Sequence, residues 1–170
     1  MGDRLPLAAA AATVFPNLGG WAGAYITRKN LNPWYQGLKK PSWTPPNWTF
    51  GPVWTGLYCT MGYSSYLVWR DAGGLEEAAL PLSVYGVNVA LNWAWTPLFF
   101  GAHNVKWALY EILALWGSTA ALGIVFYRVN SVAGYLMIPY LAWNTLAVAL
   151  NYVIYRDNRL ESKESEGKNE

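Results

Sequence analysis

Asn88, Asn92 and Trp95 fall at i, i+4 and i+7, one face of a helix. Trp143, Ala147 and Leu150 repeat that spacing, with Asn144 and Asn151 beside them. Trp107, Tyr110 and Ala114 lie at i, i+3 and i+7 next to Glu111, and Phe50, Val53, Trp54 and Leu57 share a fourth face. Four aromatic stripes edged with amides or small residues could line a cavity for a flat, apolar ligand carrying one or two polar groups. The same stripes could equally be aromatic packing joined by interhelical amide hydrogen bonds. Glu111 could bond a ligand or relay a proton. Five residues after Lys106, it fits a position near the membrane headgroups better, and a proton-coupled transporter would show more than one such carboxyl.

Enzyme constellations are sparse. No paired carboxylates, Ser-His-Asp set or nucleotide loop is present, and one His (His103) and one Cys (Cys59) leave no metal site and no disulfide framework. Cys59, in an apolar helix, reads as packing. No metal or cofactor is expected. Asn47-Trp-Thr49 matches a glycosylation sequon, but the orientation derived below puts it on the cytosolic side.

These stripes need elements to hold them, and the charges show which. The 170 residues are 54% hydrophobic, 16% aromatic with eleven Trp, and 13% charged, against about 25% charged in soluble domains. A disordered chain is excluded. A net charge of +2 gives no electrostatic footprint for nucleic acid. Only seven charged residues (Arg70, Asp71, Glu76, Glu77, Lys106, Glu111 and Arg128) lie between Pro41 and Tyr155. The runs between them are long enough to cross a bilayer as helices, which takes about 20 largely apolar residues. The expectation is an all-α integral membrane bundle of five transmembrane helices, at about 5–26, 48–68, 79–100, 107–127 and 135–155, in one domain over 1–158. A disordered, charged cytosolic tail is expected over 159–170. The first run reads as a retained helix, since Leu18–Thr27 continues uncharged beyond the alanine run. A soluble bundle would need charged outer faces, and none exists. A mean hydropathy of only +0.11 is no objection, because Trp, Tyr, Gly and Asn depress it.

With five spans, nine Lys and Arg fall on the side of the first loop, third loop and tail, and three (Arg4, Arg70 and Arg128) on the other. The nine-charge side is therefore expected to be cytosolic. Asp71-Ala-Gly-Gly marks a helix stop, Pro81 suits the first turn of the third helix, Pro97 and Gly101 end it, and Asn130-Ser131 opens the fifth. The proline-rich first loop, about twenty residues, is expected to be an ordered cap over one mouth of the bundle. Short loops elsewhere favour sequential neighbours. Leu150, Tyr152 and Arg156 fit the weak sterol pattern of an apolar residue, then Tyr, then Lys or Arg. Tyr152 and Arg156 sit one turn apart at a helix end, where an ordinary interface anchor would look the same.

Longer motifs carry a resemblance. Trp34-Tyr-x-Gly-Leu-x-Lys-Pro-Ser-Trp-x-Pro-Pro-x-Trp, Gly51-Pro-Val-Trp-x-x-Leu-Tyr, Met61-Gly-Tyr-x-Ser-Tyr-Leu-Val-Trp, Ala90-Leu-Asn-Trp-Ala-Trp-x-Pro-Leu-Phe-Phe-Gly, Pro139-Tyr-Leu-Ala-Trp and Leu150-Asn-Tyr-x-x-x-Arg-Asp-Asn are similar to the TspO/MBR family, the translocator or peripheral-type benzodiazepine receptor group, in its animal form. The resemblance spans about residues 14–159. It implies a five-helix protein of the outer mitochondrial membrane with a cytosolic C-terminus. It implies binding of cholesterol, protoporphyrin IX or heme, and benzodiazepine or isoquinoline drugs, with a debated role in cholesterol transport for steroid synthesis. The family's ligand pocket falls on Ala24, Phe50, Val53, Trp107, Tyr110, Ala114, Trp143, Ala147 and Leu150, to which the stripes add Trp54, Asn92 and Trp95. Sterol recognition falls on Leu150, Tyr152 and Arg156. Bacterial relatives degrade protoporphyrin in light through two tryptophans matching Trp54 and Trp143, the catalytic candidates of an alternative, enzymatic reading. A homodimer is expected in membrane lipid, with other mitochondrial membrane proteins as further candidate partners. Phe50 and Tyr110 are bulkier than the mammalian Leu and Ala, so drug affinity is open. Glu111 replaces an Asp. The dimer face is open too: Ser83-x₃-Val87 stands where mammals have Gly-x₃-Gly, and Gly86-x₃-Ala90-x₃-Ala94 offers a small-residue stripe one position along.

Overall fold

The computed structural model describes residues 4–167. Five helical rods form it: α1 (Arg4–Asn30), α2 (Asn47–Asp71), α3 (Leu75–Thr96), α4 (Val105–Val129) and α5, a one-turn piece Ser131–Tyr135 continued past Leu136 by Met137–Gly167. Two of them, Val105–Val129 and Ser131–Arg159, are long and apolar enough by composition to cross a membrane. α2 is the helix richest in Trp, Tyr, Gly and Asn, which lowers its hydropathy.

The punctuation works largely as expected. Gly73 takes the left-handed φ of 83° that ends α2. Asn104 caps α4 by accepting from Trp107 N (3.1 Å), and Asn130 caps α5 by accepting from Ala133 N (2.9 Å). After Thr96 the chain widens into a π-turn, Pro97–Gly101.

Three boundaries differ from the sequence expectation. α3 begins at Leu75, so Pro81 lies inside it and not in its first turn. Glu76 and Glu77 occupy that turn, where carboxylates favour the positive end of the helix dipole. α1 runs on to Asn30 with Arg28 and Lys29 in its last turn, favourable at the negative end, and a kinked turn Leu31–Tyr35 shortens the first loop. α5 continues to Gly167, so the early part of the charged segment extends an existing helix. Propagation from a formed helix needs no new nucleus. Residues 168–170 of the expected tail lie outside the described residues.

The rods are arranged as a ring. α1 packs most closely on α2, α2 meets α5, α5 packs along α4, α4 along α3, and α3 returns to α1. Consecutive helices are thus the main neighbours except α2 and α3, which touch less. At the end away from the cap, Asp71 holds the ring together. It accepts from Arg70 Nη2 (2.9 Å) and from Asn130 Nδ2 (2.6 Å) at the α4–α5 turn. Those two partners, Arg70 first, hold its carboxyl down to about 2.

The first loop does form a cap. Tyr35 is buried against Phe99 and Phe100, Trp34 stacks on His103 at 4.2 Å, and Leu150 and Ile154 of α5 join the same cluster. Asn158 fastens it from α5, donating to Lys39 O and accepting from Lys39 N, both at 3.0 Å.

Candidate functional site

The middle of the bundle is a chain of amides and hydroxyls. Tyr58 Oη donates to Asn92 Oδ1 (2.6 Å), Asn92 Nδ2 donates to Tyr140 Oη (2.7 Å), and Tyr140 Oη donates to Asn88 Oδ1 (3.0 Å). Asn88 Nδ2 donates to Ser118 Oγ and Thr119 Oγ1, and Asn144 Nδ2 also reaches Thr119 Oγ1 (3.0 Å). All four helices from α2 to α5 contribute, and Asn88, Asn144 and Tyr140 are fully buried. Groups this deep must find partners within the protein, so the network fixes the mutual rotation of the helices.

Above this floor, toward the cap, sit most of the aromatic candidates. Trp54 is tilted on Tyr58 (5.6 Å) and edge-on to Tyr140 (6.3 Å). Phe50 meets Trp143 edge-on at 5.8 Å. Trp95 stacks on Phe99 (4.8 Å) and donates to Asn151 Oδ1 (3.1 Å). Val53 packs with Trp54 and Trp143 on the main core cluster, Ala147 packs on Leu109, Ile112 and Leu115, and Leu150 belongs to the cap cluster. Phe50, Val53, Trp54, Trp95, Trp143 and Ala147 thus lie between the network at Asn92 and the cap at Leu150, packed on one another and on the core clusters.

Other candidates lie elsewhere. Trp107 and Tyr110 are 60% and 52% exposed and pack on each other, with Ala114 exposed on the same face of α4. The buried face of α4 belongs instead to Ala108, Leu109, Ile112 and Leu115. Ala24 is on the exposed face of α1. Leu150 is buried while Tyr152 is exposed, as two positions, about 200° around a helix, require. Tyr152 and Arg156 therefore present an outer surface, with Arg156 Nε donating to Asp157 Oδ1 (2.7 Å).

Four buried polar atoms in or beside this region lack a protein partner: Trp143 Nε1, Asn144 Oδ1 and both carboxyl oxygens of Glu111. Such groups are costly unless something satisfies them. They offer one donor from an indole and acceptors from an amide and a carboxyl. Among the described residues no three of His, Cys, Asp and Glu are placed to hold a metal.

Tyr58, Tyr140 and Thr119 are central to the floor but absent from the sequence candidates. The available signal was the pair Asn88 and Asn92: amides at bilayer depth demand hydroxyl or amide partners on facing helices.

A family model described as TspO/MBR family matches residues 12–156. The chain is 47% identical over 155 residues to the Translocator protein of Sus scrofa, covering 90% of this chain and 91% of that one. It is 48% identical over 147 residues to the Translocator protein of Homo sapiens, covering 86% and 87%. Against the Tryptophan-rich protein TspO of Archaeoglobus fulgidus the identity is 39% over 136 residues, covering 80% and 87%.

Proposed function

Because the chain belongs to the TspO/MBR family of helical membrane bundles, we propose that it binds cholesterol and porphyrin or heme-type ligands between its polar floor and its cap. On this reading it also takes benzodiazepine and isoquinoline drugs and takes part in moving cholesterol for steroid synthesis. It sits in the outer mitochondrial membrane as a multi-pass protein with its C-terminus in the cytosol, the orientation favoured by the nine-to-three split of Lys and Arg. The carrying observation is the set of unpartnered polar atoms on Trp143, Asn144 and Glu111 beside an otherwise apolar, aromatic lining. A flat ligand would gain from apolar burial and would satisfy those atoms. Admission requires Phe50 and Trp143 to separate. Sterol is assigned to the outer surface of Tyr152 and Arg156, beside Leu150, and drug to the interior, which makes two sites. Self-association uses the exposed Gly86 and Ala90 of α3, where an added Cβ at Gly86 meets open space. Other mitochondrial membrane proteins are further partners of this proposal.

The test is titration of the purified protein with protoporphyrin IX, an isoquinoline carboxamide and cholesterol, followed by Trp fluorescence. Trp143→Phe keeps an aromatic ring but deletes the N–H, and is expected to weaken isoquinoline or porphyrin binding about ten-fold, the worth of one buried hydrogen bond. Tyr152→Ser is expected to weaken cholesterol alone. Unchanged affinity in Trp143→Phe removes the interior site, and equal loss of cholesterol and isoquinoline in Tyr152→Ser removes the separation of sites.

A second reading, light-dependent protoporphyrin degradation, draws on the contact of Trp54 with Tyr58 and Tyr140. An excited porphyrin stacked on an indole can take an electron from it. Porphyrin absorbance under illumination should then decay with wild-type protein and persist with Trp54→Phe/Trp143→Phe. Equal decay in both would discard this reading.

A further inference from the structure

At the end of the bundle away from the cap, α4 and α5 diverge around a groove of about 390 Å³. Ala120 and Gly123 of α4 leave the space, and Ile138 and Leu141 of α5 form the opposite wall. The surface inside is almost wholly apolar. One end of it is different. Tyr127 and Tyr135 meet there with ring centroids 5.4 Å apart, and Arg128 stands beside them.

Arg128 is exposed, and among the described residues it makes no ion pair or hydrogen bond. The neighbouring cation differs, since Arg70 is paired with Asp71, which in turn accepts from Asn130. Among the described residues, Arg128 is therefore the positive charge that lines this groove, and no carboxylate pairs with it there. Arg128 is the penultimate residue of α4, where aromatic and basic side chains meet lipid headgroups. From Arg128 to Ala120 the helix descends about 12 Å toward the bilayer centre. The groove thus runs inward along the helix pair from a charged, phenolic mouth.

We propose that this groove holds an anionic glycerophospholipid. One acyl chain lies along Ala120, Gly123, Ile138 and Leu141, and the phosphate rests on the Arg128 guanidinium between the Tyr127 and Tyr135 hydroxyls. Charge decides the occupant: a neutral sterol or phosphatidylcholine would fill the apolar part and leave the cation without a net partner. The site is distinct from the region between floor and cap and depends only on the bundle lying in a bilayer.

The test reconstitutes full-length protein in equal phosphatidylglycerol and phosphatidylcholine, then counts lipids retained per chain by native mass spectrometry. Wild type should enrich phosphatidylglycerol about five-fold over the mixture, the effect expected of one basic residue at a membrane surface. Arg128→Gln should bring retention to the mixture's ratio. Ala120→Leu, which fills the groove, should lose one retained lipid per chain. Far-UV circular dichroism and thermal midpoints confirm that both variants are folded. Retention at the mixture's ratio by wild type, enrichment surviving in Arg128→Gln, an unchanged lipid count in folded Ala120→Leu, or displacement of phosphatidylglycerol by equimolar cholesterol would each overturn the proposal.

Discussion

Gly62→Val should abolish the native fold, or lower its thermal midpoint further than any other single substitution at a helical glycine of α2. A Cβ built on Gly62 would overlap the carbonyl oxygen of Ala12 and lie 2.9 Å from Thr13 Cα. Both obstacles are backbone, which cannot rotate aside as a side chain does. The contact exists because α1 contains Pro16. Proline has no N–H to donate to the carbonyl four residues earlier, so Ala12 O is left without its helical partner. The bare backbone of Gly62 packs there, where a Cα–H can approach the oxygen. Any side chain would force α1 and α2 apart along their closest interface. Overpacking of a tight site costs about 1–3 kcal/mol and occasionally more. Gly62→Ala belongs in that range and Gly62→Val above it. Gly56, earlier on the same helix, is the control, since an added Cβ there meets nothing within 4 Å. Gly56→Ala should be neutral or should gain up to about 1 kcal/mol of helix propensity. Thermal unfolding of the three variants in one detergent decides it. Equal midpoints for Gly62→Ala and Gly56→Ala would contradict the close packing of α1 on α2.

The five rods were legible because charge is nearly absent between Pro41 and Tyr155, and uncharged runs of bilayer length are what membrane-spanning helices require. Helix ends were legible where a residue acts locally. Gly73, Asn130 and Pro97 stop or start helices through their own backbone preferences. Pro81 misled because proline also fits an early interior position once a preceding turn is in place. Glu76 and Glu77, which complement the helix dipole, are the stronger start signal. The site was half legible. Spacing shows which residues share a helix face, but not which way that face turns in the bundle. Trp107, Tyr110 and Ala114 do form one face, yet Leu109, Ile112 and Leu115 take the buried position. The choice between two adjacent faces of an apolar helix is made by neighbours that α4 meets only after folding. The Gly62 contact was illegible for the same reason: it depends on which faces α1 and α2 turn toward each other once folded.

Asn92→Leu is the second substitution expected to act strongly, and it tests whether the central network is a floor or a set of independent pairs. Asn92 accepts from Tyr58 and donates to Tyr140, and all three are buried. Leucine keeps the branched shape, though it is somewhat bulkier, and leaves the Tyr58 hydroxyl with no acceptor. An orphaned buried donor costs about 1–3 kcal/mol, more than the net worth of the bond it has lost. Tyr140 suffers less, because it still donates to Asn88 (3.0 Å). Asn92→Leu should therefore destabilise by about 2–3 kcal/mol. Measured interhelical hydrogen bonds in membranes are usually weaker than this, about 0.6 kcal/mol, because the unfolded chain in lipid also finds partners. The discriminating variant is the double substitution Tyr58→Phe/Asn92→Leu, which removes the orphaned hydroxyl along with its former partner. It should recover about 1 kcal/mol relative to Asn92→Leu alone. Midpoints of thermal unfolding for the two single variants and the double variant complete the cycle. Strict additivity would show that Tyr58 and Asn92 do not depend on each other, and the floor would then be no more than adjacent polar residues. Coupling would show that α2 and α3 are held in one rotational setting from the centre. That setting determines how far Trp54, Trp95 and Trp143 can move apart, and so the size of ligand the region above the floor can admit.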